Sequence, residues 1–316
     1  MPSNRPFSLL VVAGMAALAG AALSVLGAFT GSVSNVLDFF GHFATQAVLA
    51  GIALACLFAL LRRPVLAATS IAVAIAGYFA TDIPSPVRPC AGVPTHRVLF
   101  FNVWDDNMHA TETVDFIARQ DAEIVVLAEV NPRFRPALGE LRKLYPYWIE
   151  CPEAESRDKC QFYVYSRFPI SKVTQRSRAL IEVIAAYPEA TVTLAGIHAI
   201  RPFPLHRLWY QMGQVSHFAN SIAHLPEPRL ILGDFNAASW SGIIKTVSRI
   251  DNVKPMPSRG TWFAGVPWPL RIPIDNVLIG DEIACAKKTV GPSAFSDHRP
   301  IWVDFAFKPD TVKRAP

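Results

Sequence analysis

The chain has 316 residues, of which 51% are hydrophobic and only 17% charged, with a net charge of +5. An ordinary globular chain carries about 25% charged residues. These values exclude a disordered chain and a small disulfide scaffold, and the placement of the charges argues against a wholly cytosolic enzyme.

Residues 1 to 85 contain only Arg5, Asp38, Arg62, Arg63 and Asp82 as charged side chains. Three apolar runs fill this region, Phe7 to Phe29, Phe43 to Leu61, and Val65 to Ala80 behind Pro64. A bilayer core takes about 20 helical residues. We therefore expect a membrane anchor over residues 1–82, with transmembrane helices at about 7–29, 43–61 and 64–80. Lys and Arg in short loops stay on the cytoplasmic side. Arg5 and the Arg62–Arg63 pair then lie inside, and the loop around Gly31 to Gly41, with no Lys or Arg, lies outside. Three crossings deliver the rest of the chain to the outer side of a cell membrane. A cleaved signal peptide is an alternative reading of the first run alone.

Residues 83–95 hold Pro84, Pro86, Pro89 and Pro94 and read as an extended linker. Of five cysteines, Cys56 lies in the second apolar run. Cys90, Cys151, Cys160 and Cys285 lie beyond it and allow three pairings, and Cys151 and Cys160 flank a polar stretch suited to a disulfide-closed hairpin. Free buried thiols explain the four equally well.

A catalytic domain is expected over residues 96–308, followed by a tail, 309–316. Short apolar strands are predicted at Arg97 to Phe101, Ile124 to Leu127, Phe162 to Ser166, Thr191 to Ile197, Arg229 to Leu232, Ile274 to Ile279 and Ile301 to Phe307. Helical spacing appears at Thr113 to Arg119, Tyr210 to Ala223 and Trp240 to Ser248. Many strands with few helices suggest packed sheets with helices outside.

Polar residues stand where these strands run out. Asn102 follows the first and Glu129 the second, and His198 ends Thr-Val-Thr-Leu-Ala-Gly-Ile-His. Singly, each is equally well explained by turn chemistry or a structural histidine. Gly233-Asp234-Phe235-Asn236 is sharper, since Asp234 and Asn236 share one face of an extended chain. Asp275 begins a strand, and Asp297-His298 precedes another. An adjacent Asp-His suits metal-assisted hydrolysis, with one carboxylate facing a cation and an oriented imidazole handling a proton.

Taken in order, Asn102-Val103, Glu129, Gly196-Ile197-His198, Gly233-Asp234-Phe235-Asn236, Ile274-Asp275 and Ser296-Asp297-His298-Arg299-Pro300 resemble the endonuclease/exonuclease/phosphatase superfamily across residues 96–307. Deoxyribonuclease I, abasic-site nucleases, bacterial sphingomyelinases and inositol-polyphosphate phosphatases share this pattern. Ser239-Trp240 and the Thr261-Trp262 pair look closest to its membrane-anchored bacterial members. The resemblance implies an α/β fold of the α+β kind, a four-layer α/β/β/α sandwich with two packed mixed sheets, here preceded by the N-terminal transmembrane helices.

It further implies a divalent metal, magnesium with manganese as a substitute, on Glu129 with Asn102 and Asp297 nearby. Asp275 would orient His298 as general base or acid. Asp234 would position or deprotonate the attacking water, Asn236 would hold the phosphate, and His198 would stabilise charge on it. Two positions depart from the pattern. Trp104 stands where many members have an acidic residue, with Asp105 and Asp106 just beyond, and Asn276 stands where close relatives often have His.

Substrate is left to the loops. Arg201, Arg271 and Trp262 are candidate substrate contacts, and Arg207, His206 and Arg259 extend a basic rim. Trp209, Trp262, Phe263 and Trp268 could stack on bases, touch lipid or fill the core, and most are expected to pack in the core or at an interface. The implied function is a membrane-anchored, metal-dependent phosphodiesterase or phosphatase of the bacterial inner membrane, facing outward, with a phosphoester substrate, the lipid bilayer as its surroundings and no protein partner. The alternatives are an extracytoplasmic DNA nuclease, which a net charge of only +4 beyond residue 85 disfavours, and a catalytically inactive binding module.

Overall fold

The computed structural model describes residues 6–93, 95–151, 161–177 and 179–312. Four helices come first, α1 (Pro6–Thr30), α2 (Asn35–Gly41), α3 (Ala44–Leu60) and α4 (Pro64–Thr81). Each of α1, α3 and α4 is apolar on nearly every side, as a helix in lipid must be. Leu9–Thr30 and Pro64–Thr81 are long and apolar enough to cross a membrane, and α2 with α3, bent by 58° at their junction, would make a third crossing. The stretch around Gly31 to Gly41 read as a loop is thus partly helical. Ser34 caps α2 by accepting a hydrogen bond from the Leu37 amide.

The rest is a sandwich. One six-stranded sheet runs β11-β12-β1-β2-β4-β3 and the other β5-β6-β7-β8-β10-β9. In chain order the strands are β1 (His96–Asn102), β2 (Ile124–Ala128), β3 (Tyr147–Ile149), β4 (Tyr163–Ser166), β5 (Ile170–Ser177), β6 (Leu180–Ala186), β7 (Thr191–His198), β8 (Arg229–Asp234), β9 (Lys254–Pro255), β10 (Asp275–Ile279), β11 (Ile283–Val290) and β12 (Ile301–Phe307). The helices between them are α5 (Ala110–Ala118), α6 (Leu138–Leu144), α7 (Arg207–Ile222) and α8 (Gly242–Ile250). The expected four layers are present. Val98 and Phe100 of β1 point between the sheets with Val126, Ile181, Leu194, Leu232 and Val277. Leu99 and Phe101 point outward against Val114 and Ile117 of α5. On the other side Ile197 and Ile231 pack on Val215 and Phe218 of α7 and Ile244 of α8. Strands covered on both faces read as continuous apolar runs.

Among the described residues only β1 with β2 and β7 with β8 pair in parallel, each joined through a helix. The carboxyl ends of these four central strands meet at one rim of the sandwich, which is where Asn102, Glu129, His198 and Asp234 stand. Gly233 has φ 155°, and a Cβ there would lie 1.9 Å from the Ile197 carbonyl oxygen, so only glycine lets β8 run this close to β7.

Several boundaries differ from the sequence reading. β5, β6 and β11 were not anticipated, and Trp240 lies before α8 rather than in it, because Ser241 caps that helix on the Ile244 amide. Trp240 instead donates its indole N–H to the Gly41 carbonyl at 2.8 Å. It is one of several ties between the N-terminal helices and the sandwich. Asp38 Oδ1 accepts from the Gly242 amide at 2.7 Å, and Lys245 Nζ donates to the Ala28 carbonyl at 3.2 Å. A Cβ on Gly242 would meet the Gly31 carbonyl at 2.6 Å, so the two backbones touch. Ala28, Ala44 and Ala80, at the adjoining ends of α1, α3 and α4, cluster on Ala238 and Trp240.

The linker is pinned to the sheet edge. Cys90 and Cys285 form a disulfide, and the Ala286 amide donates to the Arg88 carbonyl. The candidate hairpin partner of Cys151, Cys160, lies outside the described residues, as does Pro94. The cross-link closes 195 residues of chain. Replacing Cys90 and Cys285 together by Ser is expected to lower unfolding stability by about 2–4 kcal/mol, and with both proteins in dithiothreitol their unfolding curves should coincide. Chemical denaturation followed by tryptophan fluorescence checks this, and coincident curves for wild type and variant in the absence of reductant would contradict it.

Candidate active site

Asn102, Glu129, His198, Asp234 and Asp275 stand at strand ends, and Asp297 and His298 on the loop that leads into β12. His298 is fully enclosed, 2% exposed, with Nδ1 2.9 Å from Asp275 Oδ2 and Nε2 3.6 Å from Asp234 Oδ2. Asp275 and Asp234 are paired across β10 and β8, which holds the two carboxylates either side of the ring. Ser296, between β11 and β12, sets the loop by donating to the Asn102 carbonyl and accepting from the His298 amide.

A second group shares Asp234. Asn102 Nδ2 donates to Glu129 Oε1 at 3.0 Å and to Asp234 Oδ2 at 3.2 Å. His198 Nε2 lies 3.1 Å from Glu129 Oε1 and 3.8 Å from Asp234 Oδ2. Asn236 donates its backbone N–H to Asp234 Oδ1 and its side-chain amide to the Ala199 carbonyl. Glu129, Asn236 and Trp104 have φ of 58°, 47° and 67°, a left-handed conformation uncommon outside glycine. Such backbone persists where surrounding bonds enforce it. Here the Asn236 amide is held by Asp234 and the Trp104 amide by Asn102 Oδ1.

The electrostatics follow from burial and charge. Burial disfavours the His298 imidazolium, but Asp275, Asp234 and Asp297 outweigh it and raise the ring to about 10. Burial, helped by Asp275 and opposed by His298 and His198, lifts Asp234 to about 6. Burial would also lift Glu129, yet His198, Asn102 and the Asp105 amide together hold its carboxyl far below the ordinary range.

The donor set suits a hard divalent cation. Ligand atoms of Glu129, His198 and Asp234 lie within 4.8 Å of one another, as do those of Asp234, Asp275 and His298. Asp275 Oδ1 and Asp297 Oδ1 are buried without a hydrogen-bond partner, oxygens that a cation or a bound ligand could satisfy. Among the expected metal ligands, Asn102 and Glu129 touch. Asp297 sits on the opposite side, its Oδ2 accepting from Trp262 Nε1 at 3.0 Å and its Oδ1 4.0 Å from His298 Nε2.

Of the expected substrate contacts, Arg201 lines a cleft of about 540 Å³ with Arg207, Glu129, His198 and the Trp104–Asp106 loop. Arg271 turns away and donates Nε to the Val266 carbonyl. Trp262 lines a second cavity together with His298 and Asn236. Of the aromatics expected in the core or at an interface, Trp209, Phe263 and Trp268 are exposed and so are not core residues. Asn276, the departure after Asp275, donates to the Ala237 carbonyl and accepts from Ser239, bracing the Asp234 loop against β10.

Three participants carry no sequence signal. Gln161 Oε1 lies 2.9 Å from His198 Nδ1, and the Asp105 amide donates to Glu129 Oε2 at 3.1 Å. Lys288, half-buried on the edge strand, donates Nζ to the Asp275 carbonyl and Ser258 Oγ, and burial of its ammonium, against the pull of Asp275, lowers it to about 7.

Residues 99–298 match the profile described as "Endonuclease/Exonuclease/phosphatase family". The chain belongs to that family, and it is a metal-dependent hydrolase acting on ester bonds. No curated protein matches it by sequence. Similar solved structures include sphingomyelinase C from Streptomyces griseocarneus, 16% identical with TM-score 0.53, covering 68% of this chain and 100% of its own. Truncated Caenorhabditis elegans TDP2 is 18% identical with TM-score 0.53, covering 68% and 98%. A beta toxin variant from Staphylococcus aureus with bound magnesium ions is 14% identical with TM-score 0.54, covering 67% and 99%. At these identities the likeness is one of fold.

Proposed function

We propose that this chain is a membrane-anchored phosphoester hydrolase that works outside the cytoplasm with magnesium, or manganese in its place. The observation that carries the reading is the Asp275–His298 pair facing Asp234 beside Glu129 and Asn102. Glu129, with Asn102 beside it, would hold the cation, which when bound neutralises charge on the phosphate oxygens. Asp234, fixed by the Asn236 amide, orients water toward phosphorus, and the His298 imidazolium offers Nε2–H to an oxygen that gains charge. His198 stands beside Glu129, and Arg201 contributes positive charge at the mouth of the cleft. In-line displacement needs mainly such positioning and charge neutralisation.

The magnesium-bound beta toxin and the sphingomyelinase fold support a divalent cation and a phosphodiester. For topology, the ends of α1, α3 and α4 next to the catalytic domain are free of Lys and Arg, while Arg62 and Arg63 stand at the far end. The Cys90–Cys285 disulfide suits an oxidising compartment.

The test uses the full chain in detergent with bis-p-nitrophenyl phosphate, DNA and phospholipid. Chelation with EDTA is expected to lower turnover at least about a hundredfold, with recovery on adding magnesium. Full activity in the chelated protein would overturn the metal-dependent reading. Protease added to intact spheroplasts should remove the catalytic domain, and protection there would overturn the outward orientation.

A further inference from the structure

The second cavity at the site is enclosed partly by the anchor. It has a volume of about 340 Å³ and is bounded by His298 and Asn236 on the catalytic side and by Phe39, His42 and Phe43 on the other. Ligand sites are typically about 300–1,000 Å³, mostly apolar, with a few placed polar groups. Phe203, Trp262, Ile272 and Ile274 give it an apolar wall, and Arg201 lines both this cavity and the first cleft. The three anchor residues belong to the α2–α3 corner, where Phe39 and Phe43 meet edge to face with centroids 5.8 Å apart. This corner is fixed to the catalytic domain. Asp38 binds the Gly242 amide, Trp240 binds the Gly41 carbonyl, and Gln46 Nε2 donates to the Arg271 carbonyl at 3.2 Å.

His42 adds a second, polar observation. It is 5% exposed, and its Nε2 has no hydrogen-bond partner. A buried ring nitrogen left without a partner costs stability unless something fills the need. A ligand that places an oxygen a short distance from its phosphate would do so.

The surroundings indicate where such a ligand comes from. The Trp268–Leu270 turn packs against α3, and Trp268 and Leu270 are exposed beside that helix. Phe203, Leu205, Trp209 and Tyr210 are exposed on the loop and on α7, which packs against α2. Exposed tryptophan and tyrosine next to an apolar helix end form the belt expected at a membrane–water interface. A bilayer amphiphile could therefore present its phosphate at the rim while its apolar part stays near the anchor.

Resting on the hydrolase reading above, we propose that the α2–α3 corner is part of the active site. It walls an apolar subsite that takes the hydrocarbon portion of a lipid phosphoester, with His42 donating to an oxygen of that lipid and its phosphate between His298 and Asn236. The anchor then selects substrate as well as tethering the enzyme.

The experiment measures p-nitrophenolate release by the full chain in detergent from p-nitrophenyl alkyl phosphates, methyl through octyl, each below its micelle concentration. Burial of each added methylene should raise kcat/KM by about fourfold until the cavity is filled. Phe39→Ala and Phe43→Ala should each lower the octyl-to-methyl ratio by about tenfold, and Phe203→Ala, on the opposite wall, should act likewise. Phe79→Ala, on the exposed face of α4 away from the cavity, should leave the ratio unchanged. Methyl ester turnover with no dependence on chain length, or a ratio untouched in all three cavity variants, would overturn the subsite and leave the hydrolase standing. Absence of turnover from every ester would overturn the hydrolase reading and the subsite with it.

Discussion

His298→Ala is expected to lower kcat for phosphoester hydrolysis by about 10³-fold, and Glu129→Ala by at least as much at low magnesium, with the fold of both proteins intact. The two losses have different causes. His298 is buried among Asp275, Asp234 and Asp297, so the positive charge it carries is offered by a ring those carboxylates hold in place. Acid–base groups contribute about 10²–10⁴-fold, and a buried, oriented charge falls within that range. Removing the ring strands two facing carboxylates, one at 2.9 Å and one at 3.6 Å from its nitrogens, but adds no bulk to the core. Glu129 instead offers a carboxylate that Asn102, His198 and the Asp105 amide already hold ionised. Its loss removes a cation ligand, so half-saturation by magnesium should rise at least about tenfold. His298→Ala should leave magnesium half-saturation near the wild-type value. Steady-state kinetics across a magnesium titration, with circular dichroism as the fold control, separates the two. Retained turnover in both variants would remove the site assignment altogether.

The division between what the sequence reveals and what it hides has a physical origin. β1, β2, β7 and β8 are covered on both faces, so each is a run of apolar residues that stops where a polar side chain emerges at the rim. That coincidence makes Asn102, Glu129, His198 and Asp234 legible together. β11 was missed because it is an edge strand whose Lys287 and Lys288 break the apolar pattern, a common feature of strands with one open side. β6 was missed at Glu182, a buried carboxylate that accepts from Ser221 Oγ at 2.6 Å and so is tolerated inside. Contacts across long stretches of chain leave no local trace. Gln161 reaches His198, and Phe39 and His42 reach the cavity at His298, only because the fold brings them there. Trp240 follows Asn236 closely enough to resemble a helix start, yet its indole is used to fasten the N-terminal helices.

Asp275→Asn should be milder than Asp275→Ala, and the reason lies in the unpartnered oxygen. Asp275 Oδ2 accepts from His298 Nδ1, while Oδ1 is buried with no hydrogen-bond partner. In a serine protease triad the equivalent amide substitution forces the wrong imidazole tautomer. Here no N–H donor fixes Oδ1, so the asparagine can keep its carbonyl oxygen toward Nδ1 and turn its NH₂ to the free side. The tautomer is retained and only the charge is lost. We expect roughly a 10²-fold fall in kcat for Asp275→Asn, at the low end of acid–base contributions, and roughly 10³-fold for Asp275→Ala, which also releases the ring. The pH profile carries the sharper signature. Burial alone lowers His298, and Asp275 is foremost among the carboxylates that reverse this and bring the ring to about 10. Without that charge the imidazolium loses its proton at lower pH, so the alkaline limb of kcat/KM should move down in Asp275→Asn. Because the two residues act as one unit, Asp275→Asn combined with His298→Ala should be no slower than His298→Ala alone. Multiplicative losses in the double variant, or an alkaline limb unmoved in Asp275→Asn, would mean that Asp275 supports the strand and not the ring.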